Sequence, residues 1–102
     1  MPTLSAATLT PIVQSMFEAA GVPAADAAVV AHSLIDANLC GHDSHGVMRV
    51  PQYVEFLKKG TYRAGVPLTV VNETPAVVVA DGNWGLGQVQ AHRLLGKLIP
   101  KA

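Results

Sequence analysis

Apolar residues follow a helical spacing in the first half of the chain. Two stripes keep the intervals i, i+3, i+4, i+7 and i+8, or close to them, and such stripes are typical of helices that bury one face. The first stripe consists of Leu9, Ile12, Val13, Met16, Phe17 and Ala20, and the second of Ala27, Val30, Ala31, Leu34 and Ile35. The pattern therefore predicts two amphipathic helices.

The residues around these stripes predict where the helices begin and end. Thr8 or Thr10 is expected to cap the first helix, with Pro11 in its first turn, where backbone N–H groups lack helical partners. Gly21 suits the left-handed position after a helix, and Pro23 begins the next one. Because the connection is this short, we predict a helical hairpin.

The elements after the hairpin are shorter. A third helix is predicted to begin near Pro51, because the residue before proline resists helical geometry, and Gly60 ends it. The chain then becomes rich in valine, which favours strands. The remaining predicted elements are strands at 68–71 and 76–80, a glycine-rich loop at 81–87 and a helix at 88–99. The last helix places Ala91, Leu94, Leu95, Leu98 and Ile99 on one side.

Composition favours one folded domain. The chain has 102 residues, of which 50% are apolar and 14% charged, which suits one compact domain and is unlike a disordered chain. The predicted fold is α+β in a single segment, 1–102, with residues 1–60 helical and residues 61–102 forming the strand pair, the glycine-rich loop and the closing helix.

Charge and cysteine content exclude several classes of partner. Seven basic and seven acidic side chains cancel, so no electrostatic attraction to nucleic acid or to an anionic membrane is expected. The apolar runs are too short for a membrane helix, and no secretory signal is visible at the start. The single cysteine, Cys40, cannot form an internal disulfide. A cytoplasmic location is expected.

The densest polar cluster lies between the second and third helices, in the sequence Asp-Ser-His-Gly at 43–46. His45 is the candidate proton carrier, because an unperturbed imidazole titrates at about pH 6.5, and the Ser44 hydroxyl can hydrogen-bond a substrate oxygen. Arg49 offers two donors to a carboxylate, and Tyr53 shares its helix face if the helix reaches back that far. The group suits a small 2-oxo or 2-hydroxy acid. A solvated loop that merely caps the third helix is the alternative.

Two other kinds of site fit the sequence less well. Four residues in one short segment are of types that bind zinc, but their spacing matches no established metal motif, and no metal site is predicted. They are Cys40, His42, Asp43 and His45. The glycines of the glycine-rich loop follow neither the dinucleotide fingerprint nor the P-loop. A strand-to-helix turn with unusual backbone angles explains them better, with Trp84 as a packing anchor.

The segment at 37–53 resembles a known enzyme family. It reads Ala-Asn-Leu-Cys-Gly-His-Asp-Ser-His-Gly-Val-Met-Arg-Val-Pro-Gln-Tyr. Its pattern D-S-H-G-x-x-R-x-P-x-Y is similar at every fixed position to the malate/L-lactate dehydrogenase family of the second type, which is unrelated in fold to classical lactate dehydrogenase. The sequence Thr-Pro-Ala at 74–76 and the pattern D-G-x-x-G-x-G-Q at 81–88 also look like that family. The resemblance covers nearly the whole chain.

The resemblance implies an NAD(P)-dependent oxidoreductase that transfers hydride between nicotinamide and a small 2-hydroxy or 2-oxo acid, or a cyclic imino acid. It implies that His45 moves the proton, with Ser44 in hydrogen-bonding support, and that Arg49 and Tyr53 contact the substrate carboxylate. Family members are much longer. The chain is therefore expected to be the N-terminal part of a larger two-domain α/β oxidoreductase, with the NAD or NADP site mostly outside it.

Two positions depart from the family, and two alternative functions stay open. Cys40 stands where a basic residue is common, and Pro100 interrupts a helix that usually continues. We expect the chain to lack full activity alone, and to form a homodimer or other homo-oligomer or to associate with the missing domain. The alternatives are a non-catalytic helical partner of a full-length paralogue and a small metal-binding protein.

Overall fold

The computed structural model describes residues 4–101. Within them the order of elements is that of the prediction: a helical hairpin, a third helix, a strand pair and a closing helix. The helices are α1 (Ala6–Ala19), α2 (Ala24–Leu39), α3 (Val50–Lys59) and α4 (Gly87–Leu98), and the strands are β1 (Thr69–Glu73) and β2 (Val78–Asp81). Short 3-10 turns span Asp43–His45, Val47–Arg49 and Ile99–Lys101. In the described part of the chain, no helix has the length and apolar character needed to cross a membrane.

The first helix begins earlier than predicted. Its cap is Ser5, not Thr8 or Thr10, and the Ser5 hydroxyl oxygen accepts a hydrogen bond from the backbone N–H of Thr8 at 3.2 Å. Pro11 therefore lies inside the helix. Its ring removes the N–H that would bond the carbonyl of Ala7. The prediction was wrong here because it assumed that Pro11 lies in the first turn of the helix.

Glycines with positive φ end both helices of the hairpin. Gly21 follows α1 with φ 98°, and Gly41 follows α2 with φ 83°, angles that glycine adopts without strain. After α2, the backbone N–H of His42 turns back and donates to the carbonyl of Ala37 at 2.8 Å. This reversal ends α2 sharply and directs the chain into the polar loop before α3.

The core lies where α1, α2 and the first residues of α3 and α4 meet. All five predicted residues of the α2 stripe are buried, which confirms that stripe. In α1 only Val13 and Phe17 are buried, whereas Ile12 and Met16 are about half exposed, because the apolar stripe is wider than the face that α2 covers. The buried apolar residues are Val13, Phe17, Val22, Ala27, Val30, Ala31, Leu34, Ile35, Val50, Leu86 and Val89.

The two strands form an antiparallel hairpin. Thr69 lies opposite Asp81 and Glu73 opposite Val78, and one extra residue, Val71, makes a bulge in β1. Both strands therefore lie slightly further along the chain than the predicted 68–71 and 76–80. The shift arises because β1 continues past its valines through polar residues that pair with β2, which runs on to Asp81.

Polar contacts fix α4 to α2. Arg93 Nη2 donates hydrogen bonds to both carboxylate oxygens of Asp26, at 3.1 and 3.0 Å. Arg93 Nη1 donates to the carbonyl of Val66 and to Gln90 Oε1, each at 2.8 Å. Gln90 Nε2 in turn donates to the carbonyl of Gly82 at 2.8 Å. The Arg93 guanidinium and the Gln90 amide together therefore connect α2, α4 and both ends of the segment that contains the strand pair.

The buried side of α4 differs from the predicted one. Val89 and Gln90 are buried, whereas Leu95 and Ile99 are more than half exposed. The prediction was wrong because it followed apolar residues alone, whereas the contacts of the buried Gln90 amide and the half-buried Arg93 guanidinium determine which side of α4 faces the core. The outer side of α4 and the neighbouring side of α2 form an open apolar groove, lined by Ala28, Val29, His32, Ser33, Gln88, Ala91, His92 and Leu95.

Replacing Arg93 by lysine tests this attachment. An ammonium cannot reproduce the fork that bonds Asp26, Gln90 and Val66 together, so Arg93→Lys is expected to lower the free energy of unfolding by about 1–3 kcal/mol in chemical denaturation. The matched control is Lys59→Ala, which removes the ion pair between Lys59 and Glu55. These two side chains are 63% and 61% exposed, so the control is expected to lower the free energy of unfolding by less than about 1 kcal/mol. Equal losses in the two variants would contradict a structural role for Arg93.

Candidate functional site

The polar loop between α2 and α3 consists of two short turns joined by a glycine. The first turn is Asp43–His45 and the second is Val47–Arg49, with Gly46 in extended geometry between them. The backbone N–H of His45 donates to the carbonyl of His42 at 2.9 Å, and that of Arg49 to the carbonyl of Gly46 at 3.0 Å. The loop therefore has a defined backbone and runs directly into α3.

Three of the four predicted site residues lie together on this loop. Ser44 Oγ and His45 Nδ1 are 3.1 Å apart, within hydrogen-bonding distance. Arg49 Nε donates to the carbonyl of Ser44 at 2.7 Å, and Arg49 Nη1 donates to Gln52 Oε1 at 3.2 Å. Ser44 and His45 are exposed, and Arg49 is half-buried. A small ligand from solvent can therefore reach an imidazole, a hydroxyl and an oriented guanidinium at one place.

Tyr53, the fourth predicted site residue, has different neighbours. Arg49 precedes α3 with near-helical angles, so Arg49 and Tyr53 start from the same side of the helix, as predicted. The half-buried Tyr53 ring then packs edge-on against Tyr62, with centroids 5.8 Å apart, and lies 6.4 Å from the ring of Phe17. Its hydroxyl accepts a hydrogen bond from Gln88 Nε2 at 3.2 Å. Within residues 4–101, no hydrogen bond joins Tyr53 to Arg49.

Asn38 belongs to the loop although sequence reasoning gave it no role. Its Nδ2 donates to Asp43 Oδ1 at 2.8 Å, and its Oδ1 accepts from the backbone N–H of Val47 at 2.8 Å. A Cβ built on Gly46 would overlap the Asn38 amide. The only sequence signal was the presence of an amide in the last turn of a helix, five residues before an aspartate.

The four residues with metal-binding side chains do not form a cluster. Cys40 is exposed at the end of α2, and the Asp43 carboxylate is bonded by Asn38. Among residues 4–101, no three histidine, cysteine, aspartate or glutamate side chains lie close enough to hold one metal ion. The structure therefore gives no support to the hypothesis of a small metal-binding protein.

The glycine-rich loop is a strand-to-helix turn filled by a side chain. Its positive φ angles fall on Asn83, at 54°, and on Trp84, at 61°. A Cβ at Gly85 would lie 2.7 Å from Gln90 Nε2, so a side chain there would displace this amide. Trp84 is 69% exposed, so its prediction as a packing anchor was wrong. Its backbone carbonyl, which accepts from the N–H of Arg63 at 2.8 Å, holds the loop instead. With Gln90 inside it, this loop does not fit a dinucleotide.

Comparison with known proteins gives consistent matches. The family model for malate/L-lactate dehydrogenase matches residues 4–102. The L-sulfolactate dehydrogenase of Methanocaldococcus jannaschii is 43% identical over 82 residues, which are 80% of this chain and 24% of that protein. Hydroxycarboxylate dehydrogenase B of Escherichia coli K12 is 39% identical over 97 residues, 95% of this chain and 27% of that protein. The structure of malate dehydrogenase from Pyrococcus horikoshii OT3 superposes on 99% of this chain, and on 29% of its own, with a TM-score of 0.95 and 34% identity.

These matches include the polar loop and extend over nearly all of the described fold. The chain spans about a quarter of the length of the curated relatives it matches. The resemblance inferred from the motif at 43–53 is thereby confirmed. This chain belongs to the malate/L-lactate dehydrogenase family.

Proposed function

We propose that this chain contributes the substrate side of an NAD(P)-dependent oxidoreductase site for a small 2-hydroxy or 2-oxo acid. The observation that carries this proposal is the grouping of Ser44, His45 and Arg49 on one exposed loop. In this grouping an imidazole, which can transfer a proton, lies beside a guanidinium, which can bind a carboxylate. The names of the similar proteins, which refer to sulfolactate, malate and hydroxycarboxylates, support the same class of substrate.

His45 is proposed as the proton donor and acceptor at the substrate oxygen. When its Nδ1–H donates to Ser44 Oγ, over the observed 3.1 Å, the ring is held in one tautomer and Nε2 is the atom that exchanges the proton. In the oxidising direction Nε2 takes the proton of the C2 hydroxyl. In the reducing direction the imidazolium returns it to the carbonyl oxygen. The exposure of His45 lets the substrate reach the ring.

Arg49 is proposed to bind the substrate carboxylate. Its Nε and Nη1 are fixed by Ser44 and Gln52, so the guanidinium is oriented before a ligand arrives. Of the described residues, none accepts a hydrogen bond from Nη2, which is the donor proposed for the carboxylate. Tyr53 is proposed as a second contact. Because its oxygen accepts from Gln88, its own proton is available for donation.

Among the described residues, the glycine-rich loop is not proposed as a dinucleotide site, because the Gln90 amide occupies it. We propose that NAD or NADP is bound mostly by sequence outside this chain, and the proposal for this chain is limited to the proton and the carboxylate. Association with a further domain or into a homo-oligomer, and location in the cytoplasm, remain predictions.

The cofactor prediction can be tested directly. The 102-residue chain is expected to show no saturable binding of NADH or NADPH up to millimolar concentration, as followed by nicotinamide fluorescence. Saturable binding would mean that the chain, alone or as an oligomer, forms a cofactor site that the described fold does not reveal. A positive control is the hybrid defined next.

Catalytic roles are best tested in a hybrid polypeptide. In it, this chain replaces the segment of the Pyrococcus horikoshii malate dehydrogenase that superposes on it with a TM-score of 0.95. The hybrid is expected to bind the nicotinamide cofactor through the relative's own sequence and to oxidise malate. Cofactor binding without turnover in this hybrid would favour the alternative of a non-catalytic helical partner.

Removal of the imidazole should affect turnover and little else. In the hybrid, His45→Ala is expected to lower kcat for malate on the order of 100-fold or more, the usual range for a general acid or base. The thermal unfolding midpoint should stay unchanged, because the side chain is exposed. The control is His42→Ala, which removes a neighbouring exposed histidine. Unaltered turnover in His45→Ala would remove this residue from the mechanism.

Replacement of the guanidinium should weaken substrate binding. In the hybrid, Arg49→Lys keeps the charge but loses the planar fork, and is expected to raise KM for malate by about tenfold or more. Gln52→Ala, which removes only the partner of Arg49 Nη1, is the control and should have a smaller effect. A KM that is the same in Arg49→Lys and the parent would refute the carboxylate contact.

A further inference from the structure

The side chain of Asn38 connects the two ends of the segment that carries His45. Asp43, which precedes this segment, accepts from Asn38 Nδ2, and the N–H of Val47, which follows it, donates to Asn38 Oδ1, both at 2.8 Å. We propose that Asn38 is a positioning residue, which sets the orientation of the His45 imidazole through the backbone of the loop. Its effect on turnover rests on the proposed function, whereas its effect on the loop does not.

Gly46 shows how closely this amide is packed against the loop. Its φ of −98° is outside the left-handed region, so the backbone angle does not require glycine. The requirement is space, because Gly46 is buried and an added Cβ would overlap the amide of Asn38. The residue directly after His45 is therefore in contact with Asn38, and a displaced amide would move the peptide that follows the imidazole.

An amide is the group that both contacts need. The Asp43 carboxylate requires a donor and the Val47 N–H requires an acceptor, and a primary amide side chain offers both at once. A carboxylate at position 38 would keep the acceptor but face the negative charge of Asp43. Because Asn38 belongs to the last turn of α2, the core helix fixes the position from which the loop is held.

A displacement of the loop would affect both proposed functions, which are proton transfer by His45 and carboxylate binding by Arg49. The backbone carbonyl of Ser44 accepts from Arg49, and its hydroxyl lies 3.1 Å from His45 Nδ1. Ser44 lies directly after Asp43, so a shift of Asp43 moves the residue that touches both the imidazole and the guanidinium. A misplacement on the order of 1 Å is enough to lower a rate by 10- to 100-fold.

The test compares Asn38→Asp with the double variant Asn38→Asp, Asp43→Asn in the 102-residue chain. The measured quantity is the tautomer ratio of His45, from the ¹⁵N NMR signals of its ring at a pH where the imidazole is neutral. Asn38→Asp is expected to change this ratio. The double variant should restore it, because the new amide at position 43 donates to the new carboxylate at position 38.

One control variant and one independent perturbation separate positioning from general destabilisation. Asp36→Asn alters an exposed carboxylate of the same helix and should leave the His45 signals unchanged. Gly46→Ala pushes on the Asn38 amide from the loop side and should change them as Asn38→Asp does. This second route keeps the proposal testable if Asn38→Asp does not fold. His45 signals identical to those of the parent in the folded Asn38→Asp or Gly46→Ala chain would overturn the proposal, as would a double variant that stays altered.

Turnover of the hybrid separates this proposal from the proposed function. Asn38→Asp is expected to lower kcat on the order of tenfold, and the double variant to recover it to within about threefold of the parent. If the parent hybrid and all variants are inactive, the proposed function fails, while the NMR result still decides the positioning role. If kcat is unaffected while the His45 signals change, Asn38 shapes the loop without affecting the reaction, and the catalytic part of this proposal is refuted.

Discussion

The position of the second half of the chain depends on the guanidinium of Arg93, which connects that half to α2. It bonds Asp26 of α2 with two hydrogen bonds and also bonds Val66 and Gln90. The strand pair offers little apolar burial of its own, and α4 buries few apolar side chains, so these polar contacts determine where both lie. Part of the stability of the second half thus comes from charge-assisted hydrogen bonds, each of which contributes more than a neutral one.

The candidate site takes its rigidity from the helices on either side of it. The end of α2 supplies Asn38 and the start of α3 supplies Arg49, so the loop between them is held from both directions. Both helices contribute to the core, α2 with a fully buried stripe and α3 with Val50. The backbone that carries the exposed side chains of Ser44 and His45 is therefore held in a fixed geometry, which a site for a small ligand requires.

The stripe of α2, the order of the elements and the grouping of Ser44, His45 and Arg49 were predictable, because they follow from apolar periodicity and from one dense motif. The buried side of α4 was not, since it depends on an arginine that finds its carboxylate partner far away in the sequence. The spacing of the glycines indicated only that the loop lacks a dinucleotide fingerprint, and it did not reveal that the Gln90 amide fills the loop. Asn38 was missed because its role depends on a donor that faces Asp43 and an acceptor that faces the N–H of Val47, and sequence spacing does not reveal either contact.

The separation in sequence of these contacts has a consequence for the order of folding. Asn38 and Val47 are nine residues apart, and Ser44 and Arg49 five, whereas Asp26 and Arg93 are 67 apart. Short closures lose less chain entropy and form faster than long ones. During synthesis from the N-terminus, the loop that contains His45 can therefore fold before α4 has been synthesised. The last contact to form would be the one that fixes the strand pair and the closing helix.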